Sequence, residues 1–105
     1  MTTIVYYEQD DEISVDISGH AGYGKKDMDI VCSAISMLGY TLLNYLNVDN
    51  EEFRYIKSDG HIWAYAKGKN VPVALHVIMA GYNLLEDNYP EHIMIKKGCS
   101  LQKYS

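Results

Sequence analysis

The chain has 105 residues, 48% of them hydrophobic and 22% charged, with a formal net charge of −5. This is enough apolar material for one compact domain, residues 1–105, and too much for an intrinsically disordered chain. The negative charge repels a nucleic-acid backbone, and Lys25-Lys26 and Lys96-Lys97 with Lys103 are too short as basic patches to reverse that, so no direct nucleic-acid partner is expected.

The first ten residues, MTTIVYYEQD, carry neither a basic start nor a long apolar run, so a cytoplasmic chain without a membrane span is expected. Thr3 to Glu8 is rich in β-branched and aromatic types and predicts a strand, followed by a polar turn over Gln9-Asp10-Asp11-Glu12. Ile13, Val15 and Ile17 then alternate with Ser14, Asp16 and Ser18, the period of a half-buried strand, so the chain opens with a hairpin. Residues 19–28 break every period, and Gly19, Gly22 and Gly24 make them a mobile loop. Asp29 is a suitable N-cap for a helix whose apolar set is Val31, Ile35, Leu38, Leu42, Tyr45 and Leu46. Ile30, Ala34 and Met37 widen that set and predict burial around much of the helix.

Asn47 to Asn50 ends this helix. Glu52 to Lys57 and Ile62 to Lys67 flank Ser58-Asp59-Gly60-His61, a strong hairpin signal. Gly68-Lys69-Asn70 opens a second helix, with Pro72 in its first turn and Val73, Val77, Ala80, Leu84 and Leu85 recurring on one face. Asn88-Tyr89-Pro90 stops it. His92 to Lys97 is a last short strand, and Ser100 to Ser105 has no pattern. The order ββαββαβ implies an α+β domain, a mainly antiparallel sheet packed with two helices.

Chemistry concentrates in Ser18 to Ser36, SGHAGYGKKDMDIVCSAIS. Cys32 lies three residues beyond Asp29, inside the first helical turn, where unpaired N–H groups and the positive end of the helix dipole favour a thiolate. His20 stands across the Gly-rich loop, at the end of a strand, where an imidazole can take the thiol proton and return it to a leaving amine. Spare N–H groups of the same turn offer an oxyanion site, and Gly22, Tyr23 and Gly24 form a loop able to cover a substrate. A lone cysteine on an apolar helix is otherwise a small buried hydrophobe, and residue types alone leave both readings open.

Gly19-His20-Ala21, the short Gly-bearing loop and Asp29-Ile30-Val31-Cys32-Ser33-Ala34 resemble the signature of the ribosomal-processing cysteine protease family, Prp. The likeness extends along most of the chain, through Asp59-Gly60 and Tyr89-Pro90. It implies a cytoplasmic homodimer that removes a short N-terminal extension from ribosomal protein number twenty-seven of the large subunit, without a cofactor. It also implies Cys32 as nucleophile and His20 as base, with Asp29 capping the helix and Ser36 in support. The chain departs from the family at Asp27, where a Gly is usual, and at Ser33, where Ala is common.

Other motifs fail on specific residues. Gly19-x-x-x-x-Gly24-Lys25 approaches a phosphate-binding loop, but Lys26 replaces the Ser or Thr that holds Mg²⁺. Cys32, Cys99, His20, His61, His76 and His92 include no close ligand pair, so no metal is expected. His76 reads as a core or interface histidine, and His61 and His92 as solvent-facing. Two cysteines in a cytoplasmic chain argue against a disulfide. The rival function is a non-enzymatic protein-interaction module associated with ribosomal components, in which Cys32 is structural. Ten tyrosines against one Phe and one Trp suit such a contact surface, and equally a homodimer.

Overall fold

A computed structural model describes residues 1–25 and 28–103. Asp27, with Lys26, lies outside the described residues. The elements are β1 (Thr2–Gln9), β2 (Glu12–Ser18), α1 (Ile30–Leu46), β3 (Glu52–Ser58), β4 (His61–Lys67), α2 (Val71–Asn88) and β5 (Ile93–Lys97). They form one small α+β domain in the expected order. The sheet runs β3-β4-β2-β1-β5; its first four strands pair antiparallel, and β5 joins β1 in parallel. No helix among the described residues is long and apolar enough to cross a membrane.

The hairpins follow from their turns. Gln9 pairs with Glu12 around Asp10-Asp11, and Asp10 takes the left-handed conformation at φ 55°, which a short polar side chain tolerates. Ser58 pairs with His61 around Asp59-Gly60, with Gly60 at φ 72°. Strand alternation then sends Ile4, Ile13, Val15, Ile17, Ile62, Ala64 and Ala66 to the face that both helices cover.

Each helix lays one stripe on that face. In α1 it is Val31, Ile35, Gly39, Leu42, Leu43 and Leu46. Ile30 and Met37, expected to be buried, are exposed, as is Tyr45, because α1 has only the sheet and α2 to pack against. In α2 the buried stripe is Val71, Leu75, Ile78, Met79 and Tyr82. The set Val73, Val77, Ala80 and Leu84 faces outward instead. This helix carries two apolar stripes, and the one with Tyr82 turns inward, where its hydroxyl fits beside Gly39 and donates to Ile35 O at 2.9 Å. Burial pushes that phenol's pKa far above the ordinary range. Gly39 and Gly81 set the close approaches: a Cβ would lie 2.8 Å from Ile62 Cδ1 at Gly39 and 3.0 Å from the Leu38 methyls at Gly81.

The other sheet face has its own cover. Trp63 and Tyr65 point away from the helices yet are buried. The C-terminal segment, for which the sequence shows no pattern, crosses them: Trp63 Nε1 donates to Gln102 O at 3.0 Å, and Gln102 N donates to Ser14 Oγ at 3.0 Å. Lys103 Nζ sits 4.7 Å from the Tyr65 ring centroid and bonds Glu12 Oε1 at 3.1 Å, while Tyr65 donates to the same carboxylate at 2.5 Å.

Candidate active site

The end of β2, the first turn of α1 and the β3–β4 turn converge on one cavity of about 420 Å³. Ser18 pairs with His61 across the β2–β4 ladder, and Gly19 N donates to Gly60 O at 2.9 Å, so the hairpin tip lies directly beside His20. Gly19 turns the chain out of the strand at φ 90°, where a Cβ would stand 2.6 Å from Met1 O. His20 then leaves the strand end toward α1.

Cys32 is half-buried and unbridged; Cys99 is also free, and exposed. His20 Nδ1 stands 4.0 Å from Cys32 Sγ, the outer reach of a hydrogen bond to sulfur. The ring's other nitrogen, Nε2, is 4.0 Å from Asp59 Oδ1. Gly60 leaves room for the imidazole, since a Cβ there would be 2.9 Å from Nε2. The histidine is therefore held between a thiol on one side and a hairpin carboxylate on the other.

Asp29 is buried, and it fixes the helix start. Its Oδ1 accepts from Cys32 N at 2.9 Å, the N-cap expected from the sequence. Its Oδ2 accepts from Tyr23 N at 2.9 Å and Gly24 N at 3.2 Å, tying the loop back to the helix. Burial works to raise the Asp29 carboxyl's pKa, but the N–H groups of Cys32, Gly24, Tyr23 and Val31 outweigh it and hold it below the ordinary carboxylate range. Ser33 N also bonds Asp29 O, at 3.0 Å. The N–H groups of Cys32 and Ser33, adjacent to the thiol, are thus engaged in the cap and not spare.

Ser36 lines the same cavity one turn along α1, and Tyr40 one turn further, so Cys32, Ser36 and Tyr40 form a single stripe. Lys57 of β3 reaches across to place its Nζ 4.3 Å from the Tyr40 ring centroid. Gly22, Tyr23 and Gly24 do not line this cavity: Tyr23 packs edge-on against Tyr89 and His92, each at 5.3 Å between centroids. Lys57 and Tyr40 carry no motif in the sequence, and Asp59 is marked there only by its hairpin signal and the family likeness at Asp59-Gly60; the β2–β4 pairing brings them to the site.

The remaining histidines stand apart. His76 is not a core group: its Nε2 pairs with Glu8 Oε1 at 2.5 Å on the surface. His61 is partly buried and bonds Asp16 Oδ2 at 3.2 Å; His92, also partly buried, contacts Ala21 O through Nδ1 at 3.0 Å. Among the described residues no group of three or more His, Cys, Asp or Glu side chains is arranged to hold a metal.

The fold is shared with known structures. The S. aureus ribosomal processing protease Prp, with a covalently linked product peptide, matches at TM-score 0.83 and 22% identity, covering 93% of this chain and 100% of that one. The same protease with a substrate peptide matches at TM-score 0.73 and 20% identity, over 93% and 100%. SMU.848 from Streptococcus mutans matches at TM-score 0.69 and 27% identity, over 92% and 93%. No curated protein matches the chain. The family model described as "Cysteine protease Prp" matches residues 1–94, a span that holds every side chain of the Cys32 cavity. A thiol facing an imidazole at a helix start is what such an enzyme requires, and the chain belongs to the cysteine protease Prp family.

Proposed function

We propose that this protein is a cytoplasmic cysteine endopeptidase that removes a short N-terminal extension from ribosomal protein number twenty-seven of the large subunit, with Cys32 as nucleophile and His20 as general base. The observation that carries this reading is the 4.0 Å approach of His20 Nδ1 to Cys32 Sγ above an open cavity, in a chain of this family. The S. aureus relative named for ribosomal processing supports the substrate class.

In the proposed reaction, His20 Nδ1 takes the Cys32 proton as Sγ attacks the scissile carbonyl carbon. With Nδ1 as acceptor, the other ring proton sits on Nε2 and faces Asp59. Asp29 positions Cys32 by capping its helix and, through Tyr23 N and Gly24 N, holds the loop that links His20 to Cys32. The Ser36 hydroxyl, on the same face one turn away, is a donor for the tetrahedral oxyanion. The C–N bond then breaks, the leaving amine takes its proton from His20, and a thioester remains on Cys32. Water attacks the thioester, giving its proton to His20, and the acid and the free thiol are released. Gly22, Tyr23 and Gly24 form the substrate-covering loop in this reading. A homodimer is served by the outward stripe of Val73, Val77 and Leu84 on α2, large apolar groups that stand exposed among the described residues.

The test is to incubate the enzyme with the ribosomal protein precursor and follow its N-terminus by mass spectrometry, with Cys32→Ala in parallel. Trimming by wild type alone is expected. An untouched precursor removes this substrate, and trimming by both proteins removes the nucleophile.

A further inference from the structure

His20 is not fixed by burial. Its side chain is 53% exposed, and its approach to Cys32 Sγ is a long 4.0 Å, so the place of the ring depends on the backbone that carries it. That backbone is held on both sides of the residue. Before it, Thr2 Oγ1 donates to Gly19 O at 3.3 Å, and Gly19 N donates to Gly60 O at 2.9 Å. After it, His92 Nδ1 stands 3.0 Å from Ala21 O. A carbonyl only accepts, so this contact places a proton on Nδ1 and makes His92 the donor.

His92 is itself well anchored. It closes the turn ahead of β5, with its N–H on Tyr89 O at 2.9 Å and its own carbonyl accepting from Thr2 N at 3.0 Å. Its ring meets Tyr23 edge-on at 5.3 Å. Thr2 and Ala21 are both buried, so water has little access to compete for their bonds. The two side-chain donors that flank His20 are therefore joined to each other, through the bond from Thr2 N to His92 O. Parallel pairing of β1 with β5, Thr2 opposite Ile93, is what brings them together.

We propose that His92 is a positioning residue for the His20 base: its Nδ1–H holds Ala21 O while the Thr2 hydroxyl holds Gly19 O, and this clasp keeps the imidazole facing Cys32. The inference rests on the reading of His20 as general base and adds what holds that base in place. His92 touches neither the thiol nor the cavity, and it acts only through the chain on which His20 stands.

Two replacements separate the hydrogen bond from the packing. His92→Phe keeps an aromatic ring against Tyr23 and loses the donor; His92→Asn keeps an amide N–H near the place of Nδ1 and loses the ring. NMR reads the position of His20, as the nuclear Overhauser effect between its ring and Cys32 Hβ. Catalysis is read as kcat and KM on the ribosomal protein precursor. His92→Phe is expected to lose the Overhauser effect and at least about tenfold in kcat, within the ~100-fold that a ~1 Å misplacement costs, while KM changes less than about twofold. His92→Asn is expected to keep the effect and recover most of kcat. An unmoved His20 ring in His92→Phe, or a wild-type kcat in that variant, overturns the proposal. Equal losses in both variants assign the effect to packing and overturn it as well. Should His92→Phe not fold by circular dichroism, Thr2→Val, which keeps the side chain's outline and removes the donor to Gly19 O, carries the same two readouts with the same expected direction. A precursor left uncut by wild type removes the peptidase reading instead, and the Overhauser effect still decides whether His92 holds His20.

Discussion

Asp29 does two tasks with one carboxylate: Oδ1 caps α1 at Cys32 N, and Oδ2 gathers Tyr23 N and Gly24 N. Replacing it with Ala removes the cap and the loop tether together, and is expected to cost about 1–2 kcal/mol in denaturant titration, at the upper end for a lost N-cap. The pH dependence follows from its depressed pKa. The folded form holds the carboxylate below its unfolded value of about 3.9, so its stabilisation is present above that pH and is lost as pH falls through the folded value. Asp29→Asn should therefore flatten the acid limb of the stability profile; an unchanged limb would show that the carboxylate contributes nothing there. Gly60 acts by absence. A methyl at this position would meet His20 Nε2 at 2.9 Å from a φ of 72°, so Gly60→Ala should displace the imidazole. Activity is expected to fall by about tenfold or more, since misplacing a reacting group by ~1 Å costs up to about 100-fold. A variant with full activity would mean that His20 does not need its observed place.

At the level of elements, the sequence makes some of the site plain and hides the rest for a physical reason. Cys32, His20 and Asp29 fall within Ser18 to Ser36, where strand end, loop and helix cap are local features written in one short stretch. Asp59 and Lys57 enter the cavity only because β2 pairs with β4, a contact between residues some forty positions apart that no local pattern records. The same limit explains α2. Both of its apolar stripes have helical spacing, and long-range packing on α1, β2 and β5, the Tyr82–Ile35 contact among it, decides which one turns inward. The C-terminal segment is the third case: it lacks periodicity because single residues, Gln102 and Lys103, fasten it over the outer sheet face. Ending the chain at Gly98 should uncover the outer side of Trp63 and Tyr65, red-shift tryptophan emission and cost roughly 2–4 kcal/mol, as about 100–150 Å² of apolar surface returns to water at ~25 cal/mol per Å². Unchanged emission and stability would show the segment to be an ornament of the surface.

Across the whole molecule, the sheet and the first helix share one end, where the cavity with Cys32 and His20 lies. β5 returns to pair with β1, which closes the core beneath Ile4 and Ile93, while the pairing of β1 with β2 brings Thr2 beside Gly19, from which His20 leaves the strand end. The first strand, the first helix and the second hairpin thus meet at a single cavity, and the family to which the chain belongs accounts for a thiol there. The rival interaction module needs no reactive thiol and no facing imidazole.

The central claim is that Cys32 and His20 together hydrolyse a peptide bond. Its most direct test is the rate of peptide cleavage by Cys32→Ser and His20→Ala beside wild type, with folding checked by circular dichroism. Both variants are expected to keep the native spectrum and melting transition while losing at least about 10³-fold in kcat/KM, the scale of removing an essential nucleophile or base. A folded Cys32→Ser or His20→Ala protein within about tenfold of wild type would contradict the account, because an essential base alone contributes roughly 10²–10⁴-fold.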